Sequence, residues 1–129
     1  MKIFNTKFHG LKIIKGINHY DKRGYFRETF KNNFFKNKNF IFWCLSKSKK
    51  NVLRGLHLQK KFQQDKFVSV VRGKIFDVVV DLRKKSKTYG KKYTITLSEE
   101  NSTSLFIPAG FAHGFCTLEK DNLVFYGCT

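Results

Sequence analysis

The stretch Asn51-Val52-Leu53-Arg54-Gly55-Leu56-His57-Leu58-Gln59, NVLRGLHLQ, decides how the chain is read. Val52, Leu53, Leu56 and Leu58 give it the apolar bulk of a strand. Within the same few residues stand a guanidinium, an imidazole and an amide. Strict alternation sends Arg54 to the face opposite His57. If both face one cavity, Gly55 must mark a bulge or a strong twist between them.

The rest of the chain repeats the strand signal. The segments FIFWCLS, KFVSVVRG, KIFDVVVDLR, KKYTITLS, TSLFIPAG, HGFCTLE and NLVFYGC follow one another at short intervals, divided by Gly, Lys, Asn, Ser and Asp. The run KNNFFKNKNF reads as a short helix or an irregular link. No amphipathic helix of three turns appears, so the fold expected is all-β, an antiparallel jelly-roll sandwich or barrel. The single proline, Pro108, is expected to end a strand and open a tight turn before His113. In KIFDVVVDL, Ile75, Asp77, Val79 and Asp81 share one face. The two carboxylates place that face either at a solvated edge, the reading we favour, or in a polar cavity.

Length and composition set the limits. The chain has 129 residues, which predicts one domain over 1–129 with a sizeable core. Aromatic residues make up 16%, including 15 Phe, too many for a disordered chain. Lys and Arg number 26 against 9 Asp and Glu, a formal charge of +17. Such a balance favours anionic partners. The Lys residues are scattered and no nucleic-acid motif is present, so nucleic acid is not the partner expected. Three Cys with no zinc spacing predict reduced thiols. The N-terminus lacks a signal-peptide core and no apolar run reaches membrane-spanning length, so a cytoplasmic protein with no membrane partner is expected.

Two motifs carry chemistry. His57-Leu58-Gln59, followed by Pro108-Ala109-Gly110-Phe111-Ala112-His113, has the order of the two metal motifs of cupin jelly rolls. Gln59 stands where the second metal-binding His would be, and Gln is a poor ligand for a transition metal. No metal and no cofactor is therefore expected, which leaves an imidazole free for proton transfer.

Taken together, DKRGYFRETF, VLRGLHLQ, KFVSVVRGKIFDVVVDLRKKSKTYGK, LSEEN and IPAGFAHGF resemble the dTDP-4-dehydrorhamnose 3,5-epimerase family of the cupin superfamily. The resemblance runs from near residue 20 to the end of the chain. It implies an epimerase that inverts C3 and C5 of a dTDP-linked 4-keto-6-deoxyhexose through an enolate. His57 matches the general base, Lys66 the cation facing the enolate oxygen, and Tyr126 the acid on the opposite face. Arg23, Glu28, Arg54, Gln59 and His113 match positions that contact the nucleotide-sugar. A homodimer is implied as well.

The family has polar residues where this chain carries Phe42, Trp43 and Cys44, and it normally continues past Thr129 with an acidic residue that orients the base. Asp77 or Asp81 is a candidate substitute. Two other outcomes share the fold: a ketoisomerase or single-centre epimerase, and a short, non-catalytic nucleotide-sugar binder.

Overall fold

The computed structural model describes residues 1–129. Its elements run β1 (Lys2–Asn5), β2 (Lys12–Lys15), β3 (His19–Asp21), β4 (Gly24–Phe26), a 3-10 turn (Asn32–Phe35), β5 (Phe42–Ser48), β6 (Leu53–His57), β7 (Lys66–Arg72), β8 (Lys74–Asp81), β9 (Lys92–Ser98), β10 (Thr103–Ile107), β11 (Phe111–Thr117) and β12 (Asn122–Cys128). KNNFFKNKNF thus supplies one short 3-10 turn inside an otherwise irregular link. No helix is long and apolar enough to cross a membrane.

Every strand pairing is antiparallel. Six strands form one sheet in the order β1-β2-β10-β7-β12-β5, and four form a second in the order β6-β11-β8-β9. A separate hairpin joins β3 to β4. The two larger sheets stack as a jelly-roll sandwich, the all-β arrangement expected from the strand pattern.

Alternation along each strand builds two apolar layers. Inward residues of both sheets make the main core, with Val68, Val70, Leu105 and Val124 from the six-stranded sheet facing Ile75, Val79, Leu97 and Phe115 from the other. A fully buried Val, Leu or Phe contributes about 1.5–3 kcal/mol relative to exposure, so these residues dominate the energetics. The outer face of the six-stranded sheet carries a second layer. There Phe67 and Phe106 meet Phe35 from the 3-10 turn, flanked by Phe30, Phe40 and Trp43. Phe30 sits edge-on to Trp43 at 4.6 Å and to Phe67 at 5.2 Å, a geometry that suits the aromatic quadrupole. Much of the chain's phenylalanine is explained by this layer, which pins the irregular link to the sheet.

β12 lies inside the six-stranded sheet, paired on one side with β7 and on the other with β5. Tyr126 is therefore held by two ladders. Trp43 lies across from Gly127 in the β12–β5 ladder, and a Cβ at Gly127 would fall 2.7 Å from the indole ring. The indole also stacks on Phe125, with centroids 4.9 Å apart.

The solvated-edge reading of Asp77 and Asp81 is corrected. Both side chains point inward and both residues are fully buried. Hydrogen-bonding partners, local for Asp81 and remote in sequence for Asp77, make this burial tolerable. Asp81 accepts from Arg83, Ser86 and Thr88, while Asp77 meets His113.

Candidate active site

The site begins with an irregularity in β6. His57 pairs with His113 on β11, but Arg54 pairs with Phe115, so Gly55 and Leu56 together face Gly114. This bulge breaks strict alternation and turns Arg54 and His57 toward one cavity. It requires glycine on both strands. Gly55 has φ +110°, and a Cβ there would lie 2.6 Å from the His113 carbonyl oxygen. A Cβ on Gly114 would lie 2.7 Å from the Arg54 carbonyl oxygen.

The cavity has a volume of about 530 Å³ and opens between the two sheets. One wall holds Arg54, His57, His113 and Phe115; the other holds Ser46, Lys66, Val124 and Tyr126. His57 and Tyr126 thus belong to opposite sheets. Arg54 and Lys66 are the cations of the lining, and no carboxylate shares it.

Each polar group has a distinct environment. His57 is exposed and makes no side-chain hydrogen bond within the chain, so its imidazole is open to the cavity. His113, its neighbour across the ladder, is buried, and its Nε2 lies 2.8 Å from Asp77 Oδ2. That contact fixes the ring of His113 and leaves its other nitrogen for the cavity. Arg54 donates from Nε to the Ser48 hydroxyl at 3.0 Å and from a terminal nitrogen to the Lys47 carbonyl at 3.3 Å. β5 therefore aims the guanidinium. Tyr126 lies opposite Cys44 on β5. Burial first, and then the Cys44 thiol, raise its phenol above the ordinary value of 10.0, so it stays protonated through neutral and mildly alkaline pH.

Five of the eight residues chosen from the sequence meet in this cavity: His57, Lys66, Tyr126, Arg54 and His113. Three do not line it. Arg23 is exposed on the β3–β4 hairpin, where its Nε and a terminal nitrogen both donate to Asp21 Oδ2, at 3.1 and 2.6 Å. Glu28 bonds Lys31 at 2.7 Å, and Gln59 lies just beyond β6. Arg23 lies in the β3–β4 turn and Glu28 just after β4, outside the cavity lining, each in an exposed local ion pair.

Asp77 supports His113 rather than His57, and Asp81 holds Arg83, so neither replaces a carboxylate behind the proposed base. Sequence reading missed Ser46 and the role of Asp77. The signal for Asp77 was its alternation with the core residues Ile75 and Val79. Two imidazoles without a third nitrogen, sulfur or carboxylate donor make a poor zinc-type set, and no cluster of three such side chains forms in the chain.

Comparison with known proteins matches this architecture throughout. The family model for dTDP-4-dehydrorhamnose 3,5-epimerase matches residues 5–129. The epimerase of that name from Methanothermobacter thermautotrophicus is 46% identical over 132 residues, covering 99% of this chain and 71% of the relative. The Neisseria gonorrhoeae protein of the same name is 45% identical, covering 100% of this chain and 40% of its own length. The crystal structure of dTDP-6-deoxy-D-glucose-3,5-epimerase from Legionella pneumophila, in complex with dTDP-4-keto-L-rhamnose, superposes with a TM-score of 0.94. It is 41% identical, and the match covers 99% of this chain and 71% of that one. By sequence and by fold alike, the chain belongs to the dTDP-4-dehydrorhamnose 3,5-epimerase family.

Proposed function

We propose that the chain is an epimerase acting on a dTDP-linked 4-keto-6-deoxyhexose, inverting C3 and C5. One observation carries the reading: His57 and Tyr126 stand on opposite walls of one cavity, with Lys66 beside the second. Inverting a carbon requires a proton to leave one face and return to the other, and two walls from two sheets supply those faces.

The 4-keto group makes the protons on C3 and C5 weakly acidic, because the carbanion left behind delocalises onto the keto oxygen. His57 takes the proton with its unprotonated imidazole nitrogen. Charge then builds on the keto oxygen, where the Lys66 ammonium stabilises it more in the transition state than in the ground state. Tyr126 returns a proton from the other side, and its raised phenol keeps that proton in hand at neutral pH. Exchange with solvent returns the proton to Tyr126 and removes it from His57, and the same steps at the second carbon complete the inversion. Arg54 and Lys66 supply the positive lining suited to a diphosphate, with the Arg54 guanidinium held by Ser48. His113, oriented by Asp77, offers a fixed polar contact to the sugar.

The proposal extends to a homodimer in the cytoplasm. The β3–β4 hairpin presents Tyr20 and Phe26, each 68% exposed, as apolar surface that a second copy can cover. Gel filtration with light scattering tests this, and a monomer at all concentrations refutes it.

Incubating the chain with the 4-keto sugar in deuterated water tests the chemistry. Deuterium at both C3 and C5 is expected. Label at one carbon alone would make the protein a single-centre epimerase, and no label at either would refute the assignment.

A further inference from the structure

A second polar depression, of about 530 Å³, lies away from the cavity beside the loop that follows β8. It has no apolar lining residue. Lys7 and His9 from the N-terminal segment border it, as do Arg83, Lys85 and Lys87 from the loop.

A buried carboxylate builds this loop. Asp81 Oδ1 accepts from Arg83 Nε at 2.8 Å, and Oδ2 accepts from a terminal nitrogen of Arg83 at 2.8 Å. The hydroxyls of Ser86 and Thr88 each donate to Oδ2 at 2.6 Å. Arg83 also donates to the His9 carbonyl at 2.9 Å, tying the loop to the N-terminal segment. Backbone bonds from Ser86 to Arg83 and from Tyr89 to Ser86 close its turns.

Both oxygens of Asp81 are thus consumed and its charge is matched by Arg83. Lys7, Lys85 and Lys87 take part in none of the chain's salt bridges. Three uncompensated ammonium groups therefore border one depression on a framework that is already ordered. A second depression adjoins it through His9 and Arg83 and adds Lys12.

We propose that the Lys7–Lys85–Lys87 depression is an anion site, separate from the cavity, that takes a compact ligand of two or three linked phosphates. The ammonium groups match closely spaced oxyanions. No Phe, Tyr or Trp lines the depression, which leaves a nucleobase no large apolar platform to stack on, so the recognised part is the phosphate chain itself. The ordered loop lowers the entropic cost of gathering the three cations.

Calorimetric titration with sodium tripolyphosphate tests the site on the full chain. Two equivalents are expected, because the cavity's own Arg54 and Lys66 also attract phosphate. The double variant Lys85→Ser/Lys87→Ser should bind one equivalent, and the double variant Arg54→Gln/Lys66→Gln should also bind one. Lys85 and Lys87 are exposed, so their replacement should leave the melting temperature and the deuterium exchange of the sugar unchanged. Affinity at the new site should fall at least about tenfold between about 50 and about 200 mM salt. The assignment is overturned if wild type binds one equivalent that disappears with Arg54→Gln/Lys66→Gln. It is equally overturned if Lys85→Ser/Lys87→Ser keeps both equivalents, or if binding fails to saturate. Tighter capture of a single-stranded oligonucleotide than of tripolyphosphate at the same lysines would replace the ligand with a nucleic-acid backbone.

Discussion

Asp77 and Asp81 project from the same face of β8, and both are fully buried, yet their surroundings differ. Asp81 has donors on both oxygens: Arg83, Ser86 and Thr88. Asp77 uses one oxygen for His113, and its Oδ1 is buried with no protein partner. A carboxylate whose lone pairs are saturated by its own loop locks backbone in place. One that spends its charge on a single imidazole beside a cavity orients a binding contact instead. The pair separates loop stability from site geometry within one strand.

The largest effect expected lies at the chemical end. His57→Ala should lower kcat/KM by about 10²–10⁴-fold, and Tyr126→Phe by at least about 10², with unfolding midpoints nearly unchanged. Steady-state kinetics with denaturant unfolding measures both. The structural end should behave in the opposite way. Asp81→Ala strands the half-buried Arg83 and should cost about 3 kcal/mol of stability, while protein that remains folded keeps its exchange rate. Equal losses of turnover in the Asp77 and Asp81 variants would break the contrast.

Asp77→Asn should cost about 1.5–3 kcal/mol of transition-state binding, the worth of one charge-assisted hydrogen bond. That is tenfold to a hundredfold in kcat/KM, with a stability change smaller than that of Asp81→Ala.

Acid should sharpen the difference further. Burial opposes ionisation of Asp81, but the bonds from Arg83, Ser86 and Thr88 outweigh it and hold the carboxyl well below its ordinary 3.8. A carboxyl depressed in the folded state contributes fully above its unfolded value and loses that contribution as pH falls toward the folded one. The stability gap between wild type and Asp81→Asn should therefore be constant near neutrality and narrow below about pH 4. The smallest effect concerns the alkaline limb of kcat, which should lie above pH 10, where an ordinary tyrosine titrates.

The strand pattern made most of the fold legible, because alternation is a local property and these strands obey it. The bulge was legible too. Two functional groups on opposite parities with a glycine between them require a phase change, and Gly55 provides it. The faces of β8 were misjudged, since carboxylates beside Val79 look solvated until the loop that follows the strand folds back on Asp81 and His113 arrives from β11 to meet Asp77. Those partners lie 36 residues away for Asp77 but two to seven for Asp81, so a local motif was available for the second and not for the first. Arg23 and Glu28 show the opposite limit. Their motif was clear, but the β3–β4 hairpin and the segment after it place them outside the cavity lining of this chain.

Trp43, the chain's single tryptophan, gives the molecule an optical readout. Its ring rests on the backbone of Gly127, one residue from the proposed acid, and stacks on Phe125, one residue to the other side. Any loosening of β12 that displaces the Tyr126 hydroxyl also exposes the indole to water. Its emission should shift to the red before the rest of the sandwich melts, so a fluorimeter can follow the geometry of the acid without substrate.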